Sequence, residues 1–141
     1  MKRVELINTL KKVLPGVEDK SIIEGANSFF FDEKWVKTFN DSIAVSYPFE
    51  TGLKCSVKAQ EFFKVVSKIE SEDVRMVLLE DGRLQLSAGK TVVKMASMEA
   101  DTILKAVDNL SLLCLKWETL PKDFLRMVRF ASKYSSSRIA L

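Results

Sequence analysis

The sequence predicts an α+β fold, with antiparallel sheets on one side and amphipathic helices packed on one face. Three observations predict it. Apolar residues recur at helical spacing in three separate stretches. β-Branched and aromatic residues dominate the segments between them. The strands come in runs joined by turn signals, where parallel βαβ units would alternate strand and helix one for one. The 141 residues are enough for one ordinary domain, or for one domain and part of another. Apolar content of 47%, with nine Phe, can build a real core.

The first helix is expected over Arg3–Leu14. Leu6, Ile7, Leu10, Val13 and Leu14 share one face, and Glu5, Asn8, Thr9 and Lys12 the other. Pro15-Gly16 stops it, and a loop follows. Strands are expected at Ile22–Phe31, Trp35–Phe39 and Ser42–Phe49, with breaks at Asp32-Glu33-Lys34 and Asn40-Asp41. Pro48 marks an edge or a strand end. A short strand, LKCSV, then leads into a second helix, Lys58–Ile69. Its buried face is Ala59, Phe62, Phe63, Val66 and Ile69, opposite Gln60, Lys64, Ser67 and Lys68. Asp81-Gly82 and Ala88-Gly89 join three strands, Val74–Glu80, Arg83–Ser87 and Thr91–Ser97, into an antiparallel meander. MEADTILKAVDN fits either a short helix or a connector. Beyond it come a strand, LSLLCLKW, a third helix within LPKDFLRMVRFASKYS with Pro121 in its first turn, and RIAL as the opening of another strand.

Composition removes several chemistries. Histidine is absent, so Ser-His and Cys-His nucleophile pairs, His-ligated zinc and His general bases are excluded. Cys55 and Cys114, 59 positions apart, make a poor metal site and read as buried or incidental thiols of a reduced cytoplasmic protein. Neither GxxxxGK[ST] nor GxGxxG occurs among the five glycines. The carboxylates Asp32/Glu33 and Glu70/Glu72/Asp73 read as solvated loop charge. No catalytic residue, metal or cofactor is expected, and the chain does not read as an enzyme. No apolar run approaches the ~18 residues of a membrane span.

The helices carry the functional signal. Each pairs an apolar side with a polar side that holds cations: Lys11 and Lys12 on the first, Lys64 and Lys68 on the second, Lys122, Arg126, Arg129 and Lys133 on the third. At about 100° per residue the last four fall within roughly 60° of one another. Like charges so spaced repel by a few tenths of a kcal/mol per neighbouring pair. A stripe that costs stability suits an anionic partner: phosphate backbone, an acidic protein or a membrane surface. The apolar face of that helix is needed for packing, which disfavours the membrane. There is no zinc knuckle, helix-turn-helix spacing or RNP-like aromatic run, so contact with DNA would be to the backbone of a duplex held but not read.

Several stretches resemble the DNA sliding clamps, most closely the bacterial and phage β subunit of DNA polymerase III. KTFNDSIAVSYPFE is similar to that family's T-x-x-D strand with alternating apolar residues. GLKCSVKAQEFFKVVSKI resembles its strand-then-helix segment, and EDGRLQLSAGKTVVKMAS the hairpin and strand that close its first domain. LSLLCLKWETLPKDFLRMVRFAS resembles the start of the second. The resemblance implies a DNA-clamp-like fold, with residues 1–109 a first domain and 110–141 the incomplete strand–helix–strand beginning of another. It implies a processivity factor whose ring encircles duplex DNA, helices lining the hole, so that the cations above become backbone contacts. Polymerase and clamp loader are the implied partners, and a homo-oligomer the implied state at full length. An edge strand at Thr91–Ser97 would pair across the subunit boundary, with Val93 and Met95 as its apolar interface residues. Two departures accompany it: MKRVEL leaves almost no room for a strand before the first helix, and a full subunit has three such domains. A clamp-like protein-interaction module, using that edge for strand addition, is the alternative.

Overall fold

The computed structural model describes residues 1–100, 104–105 and 119–134. The chain divides into two compact units, Met1–Ser111 and Leu112–Leu141. In the first, α1 (Arg3–Val13) runs into a 3₁₀ turn at Leu14–Gly16. There follow β1 (Ser28–Asp32), β2 (Trp35–Phe39), β3 (Ala44–Pro48), β4 (Lys54–Lys58), α2 (Ala59–Lys68), β5 (Arg75–Leu78), β6 (Arg83–Ala88) and β7 (Thr91–Ala96). Two antiparallel sheets result, one ordered β3-β2-β1-β4 and the other β5-β6-β7. In the second unit the described structure is α3 (Phe124–Ser132) and its flanks.

One core joins the sheets and the first two helices. Leu6, Leu10 and Val13 of α1 and Phe62 and Val66 of α2 meet Phe29 and Phe31 of β1, Val36 of β2, and Leu84 and Leu86 of β6. Phe62 lies edge-on to Phe29 (centroids 6.3 Å apart) and to Phe31 (5.5 Å), the arrangement the ring quadrupole favours. Strand alternation sends Phe30 to the other face, where Phe39, Ala100 and Leu104 cover it. The predicted faces of α1 and α2 hold with one correction: Thr9, expected among the polar positions, is buried. It lies about 40° round the helix from Val13, inside the apolar arc.

The first predicted strand is six residues too long at its start. Ile22–Asn27 are not strand: the Ser21 hydroxyl accepts the Ile23 N–H (3.0 Å), Gly25 takes φ 83°, and the Glu18 N–H reaches the Ala26 carbonyl (2.8 Å), closing a loop. The short LKCSV strand is β4, lying between β1 and the Met98 bridge. The first meander turn contains the predicted Asp81-Gly82 but starts earlier, and the second is displaced by one residue. Leu79–Gly82 forms the first, with Gly82 at φ 78° and Asp81 taking the Arg83 backbone N–H and guanidinium. Gly89-Lys90 forms the second. Gly16 is required where it stands, because a Cβ there would run into the Thr38 side chain, whose hydroxyl donates to the Val13 carbonyl (2.5 Å).

The N-terminus is tied into the fold more closely than the sequence suggests. The Met1 ammonium donates to the Val74 carbonyl (3.0 Å), the Val74 N–H returns to the Met1 carbonyl (2.9 Å), and Lys2 bridges Asp73. A single bridge thus stands before α1. Asp32, expected as solvated charge, instead accepts from Lys37 Nζ at 2.6 Å in a largely buried pair. The expected strands at 110–117 and 138–141, most of the 98–109 connector, and Cys114 lie outside the described residues.

Cys55 of β4 is buried, and burial pushes its thiol up from 9.0 to about 11. The folded state keeps its proton to higher pH than the unfolded chain does. Its contribution is therefore complete below about pH 9 and declines as pH rises toward 11. Between pH 8 and pH 10.5, the urea midpoint is expected to fall further for the wild type than for Cys55→Ala; an identical fall in both would remove the thiol as the cause.

Candidate nucleic-acid interface

The surface cations of α1 and α2 are positioned by the apolar faces beneath them. Because α1 and α2 bury their apolar sides in one core and pack beside each other, their solvated sides are adjacent. Lys11 and Lys12 emerge in the last turn of α1, and Lys64 and Lys68 one turn apart on α2; all four are exposed or half-exposed at the surface. Lys12 is partly engaged: its ammonium donates to the Tyr47 hydroxyl (2.5 Å) and lies 4.0 Å from that ring's centroid. Three donors on an ammonium leave two for another acceptor. Tyr47 thereby holds Lys12 in place, a pairing of residues 35 positions apart that no local pattern signals.

In the second unit Arg126 and Arg129 lie on α3, and Lys122 and Lys133 flank it. Lys122 is therefore in the turn before the helix, and Pro121 is likewise outside: the Phe124 N–H bonds back to the Pro121 carbonyl (2.9 Å), so the chain turns there before helical bonding starts. Asp123, at the N-cap position, comes within 3.7 Å of Arg126. Both side chains are well exposed, so the pair is worth little in water and leaves Arg126 available. Every residue from Thr119 to Tyr134 is exposed, including the apolar face of α3.

The charge balance separates the two units. Leu112–Leu141 holds six Lys and Arg against two carboxylates, whereas Met1–Ser111 holds sixteen against seventeen. Within the helices the cations are in surplus throughout. α1 carries Arg3, Lys11 and Lys12 against Glu5; α2 carries Lys64 and Lys68 against Glu61; α3 carries Arg126 and Arg129 with no acid. The carboxylates gather in turns and strands, so the first unit is electrically divided although nearly neutral overall.

Val93 and Met95 lie on β7, opposite Leu86 and Leu84 of β6. Partners across a ladder share a face, so both point toward the core side, where they are half-buried. Among the described residues β7 has no partner on its other side. A two-residue turn closed by Ala88 and Thr91 directs the backbone of Thr91, Val93 and Met95 toward β6. That leaves the N–H and C=O groups of Val92, Lys94 and Ala96 along the open edge. Beside it opens a groove of about 470 Å³ walled by Val65, Ile69, Ala88 and Val93, with Lys68 and Lys90 on its rim. The groove joins two segments distant in sequence, the end of α2 and the β6–β7 turn, and has no signature in local pattern.

Among the described residues no helix is long and apolar enough to cross a membrane, and no cluster of three or more acidic, Cys or His side chains is placed to hold a metal.

Antiparallel sheets combined with amphipathic helices in this order match the fold of solved DNA sliding clamps. The solved β subunit of DNA polymerase from Streptococcus pyogenes superposes with a TM-score of 0.64 at 14% identity, over 86% of this chain and 33% of that one. The DNA polymerase sliding clamp of Bacillus subtilis gives 0.63 at 12% identity, over 86% and 33%. The DNA polymerase III β subunit of Thermotoga maritima gives 0.64 at 18%, over 86% and 32%. The chain thus spans about a third of the length of the structures it matches. No family model and no curated protein matches it.

Proposed function

We propose that the chain is a unit of a DNA sliding clamp, a non-enzymatic processivity factor of the cytoplasm that holds duplex DNA through its phosphates. The observation that supports this most strongly is the cation surplus on all three helices of a chain with the clamp fold. Lys11, Lys12, Lys64, Lys68, Lys122, Arg126, Arg129 and Lys133 are the backbone contacts in this reading. Long flexible ammonium and guanidinium arms fit the purpose: each contact is weak, exchanges readily with counterions and carries no base information. A ring so lined slides while it tethers a polymerase. Ring closure would use the open edge of β7, with Val93 and Met95 beside it, in a homo-oligomer of the full-length subunit, and a clamp loader would open it. In keeping with backbone contact, two duplexes of equal length and unrelated sequence are expected to bind with the same affinity at one salt concentration. A preference of about tenfold for either in fluorescence anisotropy would contradict it.

A second reading is favoured by the β7 edge itself. An unpaired strand beside an apolar groove is suited to strand addition by a partner protein, and a clamp-like module could serve that purpose without encircling DNA.

A further inference from the structure

We infer that Tyr47 restrains Lys12: it draws the ammonium off the cation surface shared by α1 and α2 and so loosens one phosphate contact. The inference rests on the DNA reading above. Tyr47 lies on β3 opposite Val36, on the core face of the sheet. Its ring packs against the core, which fixes its position, and its hydroxyl accepts from Lys12 Nζ at 2.5 Å. The ammonium also stands 4.0 Å from the ring centroid, so a hydrogen bond and a cation–ring attraction act on it together. Among the described residues Lys11, Lys64 and Lys68 have no hydrogen bond, ion pair or ring contact.

The direction of the hold follows from α1. Arg3 reaches the Ser67 carbonyl of α2 (3.5 Å), which marks the flank of α1 that faces α2. Arg3 and Lys12 are nine positions apart, which at about 100° per residue places them on opposite flanks of the helix. Lys12 therefore leaves α1 on the side away from α2, toward β3, whereas Lys11 lies only about 80° round from Arg3. Lys64 and Lys68 belong to α2, so Tyr47 keeps Lys12 apart from both.

A neutral hydroxyl cancels no charge. The long-range attraction of Lys12 for an anion persists. Only close contact is opposed, because the ammonium cannot move to a phosphate on the α2 side without leaving Tyr47. Such a site attracts the duplex as its neighbours do and releases it sooner, a combination that suits sliding. Tyr47 touches no phosphate in this scheme; it acts through Lys12 and is a positioning residue.

Anisotropy and stopped-flow dissociation on a labelled duplex at low salt test this. Tyr47→Leu removes both contacts and is expected to bind about two- to fivefold more tightly, the strength of an exposed cation–ring contact. The gain should come from slower dissociation, and the salt slope should steepen by up to about 0.9, one further phosphate. Tyr47→Phe keeps the ring and its packing and should show a smaller gain; it carries the test should Tyr47→Leu fail to fold. Tyr47→Leu combined with Lys12→Ala should bind no more tightly than Lys12→Ala alone, a dependence that a merely structural role for Tyr47 would not produce. Unchanged or weaker binding by the Tyr47 variants, or a gain that survives Lys12→Ala, would overturn the inference. The hold itself is read without DNA, from the rate at which an amine-acylating reagent modifies each lysine. Lys12 should react more slowly than Lys11 in the wild type and as fast in Tyr47→Leu. Equal rates in the wild type would overturn the restraint whatever the duplex does. A wild type that shows the rate difference but binds no duplex would instead sink the DNA reading, and with it the phosphate contact inferred here, while leaving the Tyr47–Lys12 hold in place.

Discussion

Reversing Arg126, Arg129 and Lys133 to glutamate lowers the affinity for duplex DNA by at least about tenfold at low salt, and it leaves the fold intact. The plot of log affinity against log salt becomes shallower by roughly 2.7, about 0.9 for each phosphate no longer neutralised. All three residues are exposed, and Asp123 beside Arg126 is an exposed ionic neighbour, so little in the folded state depends on them. The melting temperature serves as the control. These positions are expected to matter more than Lys11 and Lys12, because the second unit carries the net positive charge while the first is close to neutral. Lys12, held by Tyr47, should show the smallest single effect. Fluorescence anisotropy on a labelled duplex reads both affinity and slope. An unchanged affinity in the triple variant would remove α3 from the interface.

Phe62→Ala should be the most damaging single change in the first unit. The side chain is fully buried, packs edge-on to two aromatic rings, and links α2 to β1. Truncating such a residue costs about 3–5 kcal/mol, a large part of the roughly 5–15 kcal/mol that ordinary domains possess. Phe63, next in sequence but only half-buried, should cost less than half as much when truncated. Urea unfolding of the two variants checks the ranking. Equal losses would mean that the helix is not seated as described.

Much of this architecture is written in local pattern. Helical periodicity marks α1 and α2 to within a residue or two, and Trp35–Phe39 is legible with its observed bounds because turn residues flank it on both sides. Features that depend on distant partners are less legible. The apolar run at Ile22–Phe31 reads as one strand, yet a backbone turn at Gly25 divides it and leaves two isoleucines exposed. Thr9 looks polar, but the fold closes over its position on α1. Asp32 looks like loop charge until β2 brings Lys37 to it. The order β3-β2-β1-β4 likewise needs pairing between Phe31 and Cys55, residues whose relation sequence spacing does not express. The cations are a different case. On α1 and α2 their exposure follows from the apolar faces buried opposite them, so those positions can be read directly, whereas the anchoring of Lys12 by Tyr47 and the groove beside Val93 cannot.

The central claim is that this chain holds duplex DNA by its backbone. Its most direct test is the salt dependence of binding by the wild-type chain. A linear fall in log affinity with log salt, with a slope of about −3 or steeper, is the predicted result, corresponding to roughly three or more phosphates neutralised. A slope near zero, or no binding at the lowest salt, would contradict it.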